Sequence, residues 1–316
     1  MATLQEIGLQ GFAGTAPTPV LQRAINAYLV NDQLFNAMRF TNRGFTSNLG
    51  NIQVSGVYYE GTSEATFRAL GEEYTPDNET PLTFTETLKN LGGSFNADVT
   101  NVRAFANNPG MVSNWVEQQT VQKINAIKNG FAKYFIQGDA SKDAKQFNGL
   151  NAKISAGQVN KAPIDITDID NKSLAIEKEL NKMLVKVRPM RPNFILTTAD
   201  GVATLNALNA YRHRAVDVIE VNGKQYNQWN GIPLIQLDNA FPTEDTSIGI
   251  PVVFVLFDEE YGINFTLPAD GEVLYIRQPK FDRGEVVEKG SCEMLGTPIF
   301  GNPFAMAKCY LKETVE

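Results

Sequence analysis

The chain has 316 residues, 43% hydrophobic and 20% charged, with 25 glycines and 15 prolines. Those proportions suit a globular protein with a real core and exclude collagen-like and low-complexity classes. A net charge of -7 and only two cysteines argue against a protein that wraps nucleic acid with its own basic charge, and against a secreted fold held by disulfides.

The longest basic cluster is Arg212-His213-Arg214. No run of about 18 apolar residues is present, so no membrane-spanning helix is expected. The opening MATLQEIGLQGFAG lacks the basic segment and apolar stretch of a secretory signal. The expectation is a soluble chain made in a reducing cytoplasm, with the sequons at Asn78, Asn171 and Asn264 as chance matches.

Residues 1–17 are small, polar and Gly-rich, and read as an extended arm. Thr18-Pro19 is a helix start, a hydroxyl cap followed by proline in the first turn. Leu21, Ile25, Tyr28 and Phe35 then follow at helical spacing, which predicts one helix to about Phe40. From Asn51 the pattern turns strand-like. In LTFTETL, Thr83, Thr85 and Thr87 alternate with Leu82, Phe84, Glu86 and Leu88, and PDNETP is a turn cluster. This predicts a long two-stranded excursion. It has too little apolar content to stand alone, since an isolated hairpin is marginal in water. It must lie on its own subunit or on a neighbour.

Asn108-Pro109 opens the strongest periodic segment, with Val112, Trp115, Val116, Val121, Ile124, Ile127, Phe131 and Phe135 at steps near three and four. It ends at Gly138, and at 1.5 Å per residue it spans roughly 40 Å, a spine. Trp115, Ile124, Phe131 and Phe135 are read as its packing stripe. GDASKDAKQFNGL follows as a polar loop. The second half alternates: a helix over 171–187, a buried strand over 194–197, and a helix over 200–211. A hairpin over 218–226 turns at Asn222-Gly223, and strands follow over 232–237, 252–257, 273–277 and 306–311. The class is α+β, with no regular βαβ alternation.

The catalytic search returns little. His213 is the one histidine, flanked by arginines. No G-x-S-x-G elbow, phosphate loop or dinucleotide fingerprint occurs, and Gly92-Gly93 is a turn signal. Cys292 and Cys309 lack zinc spacing and read as buried core residues. Asp165, Asp168 and Asp170 alternate as Ca²⁺ ligands can, but without the glycine and distal glutamate of an EF-hand. They read as a solvated acidic loop. Asp258-Glu259-Glu260 reads as a charged turn. No metal, cofactor or catalytic residue is assigned.

The order of elements carries a resemblance. LGEEYTPDNETPLTFTETLKNLGGSF is followed by a spine helix and a loop with Gly138-Asp139 and Phe147-Asn148-Gly149-Leu150, then by RPNFILTTADGVATLNAL and WNGIPLIQLDNAF. Across nearly the whole chain this resembles the major capsid proteins of tailed bacteriophages, with the HK97-like fold. The resemblance implies an N-terminal arm and helix (1–50), an extended loop or E-loop (51–95), and a peripheral domain with the spine (96–165). An axial domain with a mixed sheet (166–270) and return strands (271–316) complete it.

It further implies a structural subunit, not an enzyme, that forms hexamers and pentamers of an icosahedral shell around double-stranded DNA, without sequence-specific binding. Subunit contacts would come from the loop over 52–90, through Phe67, Glu72, Glu73, Tyr74 and Phe84, and from the arm. Axial contacts would involve Arg212 and Arg214 and the loops over 212–218 and 238–248. Because the chain starts with Met and reaches its first helix at Thr18, a separate scaffolding protein is expected, with a portal and decoration proteins as further partners. The expected location is the virion, after assembly in the bacterial cytoplasm. An encapsulin-type compartment shell is the nearest alternative, and a cytoplasmic α+β enzyme using carboxylates is the other.

Overall fold

The computed structural model describes residues 25–42, 45–48, 51–58, 65–74, 82–98, 100, 109–212, 218–268, 271–279 and 287–313. The arm, the Thr18-Pro19 helix start, the PDNETP cluster, His213 and Arg214 lie outside them. After a π turn at Asn26–Val30, the described elements begin with α1 (Gln33–Ala37), β1 (Phe40–Thr41), β2 (Thr46–Asn48), β3 (Asn51–Tyr58), β4 (Leu82–Thr87) and β5 (Lys89–Asp98). Then come α2 (Pro109–Gln137), α3 (Leu150–Lys153), β6 (Ile164–Asp165), α4 (Ile169–Lys186), β7 (Phe194–Thr197) and α5 (Ala199–Tyr211). The chain continues through β8 (Val218–Val221), β9 (Lys224–Trp229), β10 (Ile232–Gln236), α6 (Thr243–Ile248) and β11 (Ile250–Val255). It closes with β12 (Ile263–Thr266), β13 (Tyr275–Arg277), β14 (Val287–Phe300) and β15 (Met306–Lys312).

The single helix expected up to Phe40 is interrupted. The carboxylate of Asp32 accepts from the backbone N–H of Leu34 at 3.0 Å and of Phe35 at 3.1 Å, so α1 is capped and starts afresh there. Asp competes for nearby backbone donors and favours such a cap over a helix interior. Ile25, Leu29, Leu34 and Phe35 still reach one core, which is why the helical spacing persists across the break. Asp32 also faces the ammonium of Lys128 on α2 at 3.5 Å. Asp32→Ala is expected to cost about 1–2 kcal/mol through the lost cap, seen as a lower urea midpoint with unchanged slope.

Three sheets follow from the strand pairing. The largest is mixed and seven-stranded, in the order β6-β15-β11-β7-β10-β9-β8. Its buried strands read as apolar runs (Phe194–Thr197, Ile250–Val255) because α4 packs on β15 while α5 packs on β7, β9, β10 and β11. The β8–β9 hairpin turns through Asn222 and Gly223 at φ 51° and 73°, the doubly positive signature of the expected type I′ turn. A five-stranded sheet runs β1-β12-β14-β13, with β5 also paired to β14. The spine, α2, lies along β5 and β14, and its 29 residues match the predicted span. A three-stranded sheet, β2-β3-β4, shares no ladder with either, and β4 lies close to β14.

Two differences concern the strands. The excursion expected to run from 51 to 95 leaves its own sheet at Thr87, because β5 pairs with β14 along the register Lys89↔Gly296 to Asp98↔Val287. It also gains a third strand, β2, paired Thr46↔Gln53 to Asn48↔Asn51. β14, 14 residues long, falls within the return strands expected over 271–316 but is not among the strands read from the residue pattern.

Candidate functional site

The three-stranded excursion is the candidate site, and its root is built from side chains that face the body of the chain. Opposite Phe84 in the β3–β4 register stands Gly56. A Cβ at that glycine would lie 2.5 Å from Phe84 Cζ, so the ring covers the bare backbone. The same ring comes within 3.4 Å of where a Cβ of Gly301 would stand. Phe84 therefore packs on its own chain, on the strands and away from the turn of the tip. Two residues further, Glu86 is only 5% exposed. It forms an ion pair with Lys153 of α3 and accepts from Asn148 Nδ2 at 3.2 Å. Nearby, Lys89 Nζ donates to the carbonyl of Ala144 at 2.6 Å.

The loop that receives these groups is fixed by the residues singled out in the sequence. The N–H of Gly138 donates to Tyr134 O and the N–H of Gly149 to Gly138 O, both at 2.7 Å. A Cβ on either glycine would come within 2.5 Å of Tyr134 O, so this close approach requires glycine at both positions. Asn148 Oδ1 accepts from Ala140 N at 3.1 Å, and Phe147 and Leu150 are buried in the core. Asn148 thus joins the loop to the carboxylate on the excursion.

At the tip, residues 65–74 are exposed throughout. The N–H of Glu72 donates to Ala69 O at 3.2 Å around Gly71, whose φ is 92°; this is the left-handed third position of a type II turn. The Glu72 carboxylate accepts from Ala69 N at 3.3 Å. Arg68 donates to Glu72 O at 2.9 Å and stands 5.2 Å over the Tyr74 ring. Phe67 and Leu70 are fully exposed on this turn, with Tyr74 more than half exposed. Phe67, Glu72, Glu73 and Tyr74, expected together, do come together here, whereas Phe84 does not join them. Leu70, which the sequence reading does not single out, stands beside them on the same turn.

The other predicted residues divide. Ile124, Phe131 and Phe135 are wholly buried on the spine. Trp115 packs edge-on against Phe95 at 6.3 Å and remains 38% exposed. Arg212 donates through Nε to Glu177 at 3.0 Å, tying the end of α5 to α4 within the chain. Beside it runs a shallow groove floored by Leu174 and Val185.

Among the described residues, the titratable groups singled out in the sequence serve structural partners. Burial pushes the thiols of Cys292 and Cys309 up to about 12, which keeps them protonated and fits their reading as core residues. The three aspartates of the acidic loop serve separate partners. Asp165 takes Thr167 and Lys172, which hold its carboxyl well below the usual range, and Asp168 caps Asn171. Asp170 faces the Tyr211 hydroxyl and raises its pKa. Among the described residues no group of three or more His, Cys, Asp or Glu could hold a metal, and no helix is long and apolar enough to cross a membrane.

One polar cluster was invisible in the sequence. Lys308 of β15, 3% exposed, donates to Asp245 at 2.5 Å and to Asn151 Oδ1 at 2.8 Å. Asp245 also accepts from the Tyr310 hydroxyl at 2.8 Å and from Asn151 Nδ2 at 3.0 Å. The cluster stitches α3, α6 and β15 together.

No protein-family model and no curated protein sequence matches the chain. Its fold does match known structures. The SrpI encapsulin complex from Synechococcus elongatus superposes with a TM-score of 0.60 at 13% identity, over 96% of this chain and 94% of the other. The capsid of a native GTA particle gives 0.57 at 10% identity, over 88% and 90%. The capsid of Myoviridae phage XM1 gives 0.53 at 12% identity, over 89% and 91%. The chain therefore has the HK97-like capsid fold, the α+β architecture that its element order resembles.

Proposed function

We propose that the chain is the repeating subunit of an icosahedral shell, a tailed-phage major capsid protein that forms hexamers and pentamers around double-stranded DNA and catalyses nothing. The observation that carries this reading is the excursion: a firmly rooted arm presents Phe67 and Leu70 fully to water at its tip. Such a cost is offset when the residues dock on a neighbouring copy. Closed symmetry repeats each modest contact around the ring, so individually weak docking adds up to a stable particle. The net charge of -7 suits a wall from which packaged DNA must stay free.

In this reading the arm (1–50) and excursion (51–95) join neighbours, the peripheral unit (96–165) carries the spine, and the axial unit (166–270) with the return strands (271–316) faces the capsomer centre. Arg212 and Arg214 lie towards that centre. A scaffolding protein, a portal and decoration proteins complete the particle, which is built in the host cytoplasm. A second reading, an encapsulin-type compartment, is favoured by the SrpI likeness, which spans nearly all of both chains.

Electron microscopy of the purified protein tests the assembly claim, with shells, tubes or capsomers expected. Phe67→Ser with Leu70→Ser should leave the circular dichroism and melting curve unchanged while abolishing particles. A strictly monomeric parent, or a double variant that assembles normally, overturns the docking role. Nuclease-protected DNA in particles from infected cells separates the phage reading from a compartment filled with protein.

A further inference from the structure

We infer that Glu86, Lys153 and Asn148 form a latch that sets the direction of the excursion relative to the spine, and that opening the latch lets the excursion swing. The three-stranded sheet shares no strand ladder with the other two. The chain passes from β4 to β5 through one residue, Leu88, whose N–H donates back to Ile52 O at 2.8 Å and so belongs to the excursion. That junction, together with the chain link from β1 to β2, is the hinge.

Both apolar and polar contacts cross it. The Phe84 ring lies on Gly56 and meets the body at Gly301, and β4 lies close to β14. Lys89 belongs to β5, so its bond to Ala144 braces the body and not the arm. Glu86 is different. It sits on β4 and reaches across the hinge to Lys153 and to Asn148, in a loop already fixed by Gly138 and Gly149.

An ion pair suits a latch better than an apolar contact does. The side chain of Glu86 is 6% exposed and that of Lys153 31%. Salt and water reach the ammonium, yet the closed pair is shielded enough to hold. Broken, the pair leaves a carboxylate that water can satisfy only if the strand moves outwards. The two arrangements are thus discrete, as a bistable element requires. The consequence for assembly rests on the shell reading: copies meeting at different angles need the arm at different tilts, and the latch would select among them.

The latch can be read on unassembled subunits, so its failure is distinguishable from failure of the shell reading. Spin labels go on Val57→Cys of β3 and Lys133→Cys of α2, both exposed, while Cys292 and Cys309 are buried and stay unlabelled. Pulsed electron resonance should give one narrow distance distribution in the parent. In Glu86→Gln and in Lys153→Gln it should broaden and shift, and in the swap Glu86→Lys with Lys153→Glu it should narrow again. Glu73→Gln, at the tip, should change nothing. If Glu86→Gln fails to fold, the more exposed Lys153 position carries the test. Distributions that superimpose on the parent, or a swap as broad as the single changes, overturn the latch.

Discussion

Asp245→Ala is expected to destabilise the fold by about 3–5 kcal/mol, the cost of stranding a buried charge by removing its partner. Three donors converge on that carboxylate, from Lys308, Tyr310 and Asn151. Without it, Lys308 keeps Asn151 Oδ1 as its neighbour in a position only 3% exposed. The lysine can escape by releasing its proton. Burial already lowers its pKa from the ordinary 10.5 in the intact protein, and loss of the carboxylate lowers it further. The unfolded chain then binds more protons than the folded one between the depressed value and 10.5. Stability in that window therefore rises with pH. The deficit of Asp245→Ala should be largest near neutral pH and shrink as the solution is made alkaline. Asp245→Asn combined with Lys308→Met removes both charges and keeps an acceptor for Tyr310, so it should restore most of the loss. Urea unfolding of dilute subunits at two pH values reads both results, held at one concentration because assembly would add its own stability. A deficit indifferent to pH, or a double variant as weak as the single one, would show that the charge is not what the site stabilises.

That cluster also marks where sequence reasoning stops. Asn151, Asp245 and Lys308 lie on α3, α6 and β15, and nothing local in any of these segments indicates a buried partner. The same holds for Glu86, whose alternation with Thr85 and Thr87 was legible while its neighbour Lys153 was not. The spine, by contrast, was readable to its last residue. Its apolar spacing is continuous from Val116 to Phe135 and Gly138 ends it. β14 was hidden by its own glycines. A Cβ at Gly290 would come within 2.3 Å of the Phe95 ring, and one at Gly296 within 2.1 Å of the Phe265 ring. Those glycines let aromatic rings lie over the strand, although in sequence they read as breakers. Phe67 and Tyr74 were singled out only through the resemblance in element order, and the structure places both exposed on the connection between β3 and β4.

The core around the spine makes the second large prediction. Phe131 is wholly buried, with ring centroids at 4.5 Å to Phe35, 5.3 Å to Phe265 and 5.9 Å to Phe135. Those partners come from α1, β12 and the next turn of the spine. Phe131 therefore joins the N-terminal segment, the five-stranded sheet and α2 at one point. Phe131→Ala removes a ring whose surroundings belong to three separate elements and cannot all collapse inwards, so a cost of about 3–5 kcal/mol is expected. Trp115→Ala, on the same helix, should cost much less despite the larger side chain, because Trp115 is 38% exposed and its ring contact is with Phe95. The contrast tests whether burial or residue size governs the spine. Phe131→Leu should fall between, since most of the volume is kept. Urea midpoints for the three variants, with slopes unchanged from the parent, decide the matter. Equal losses at Phe131 and Trp115 would mean that the spine is held by its whole length and not by the aromatic junction at Phe131.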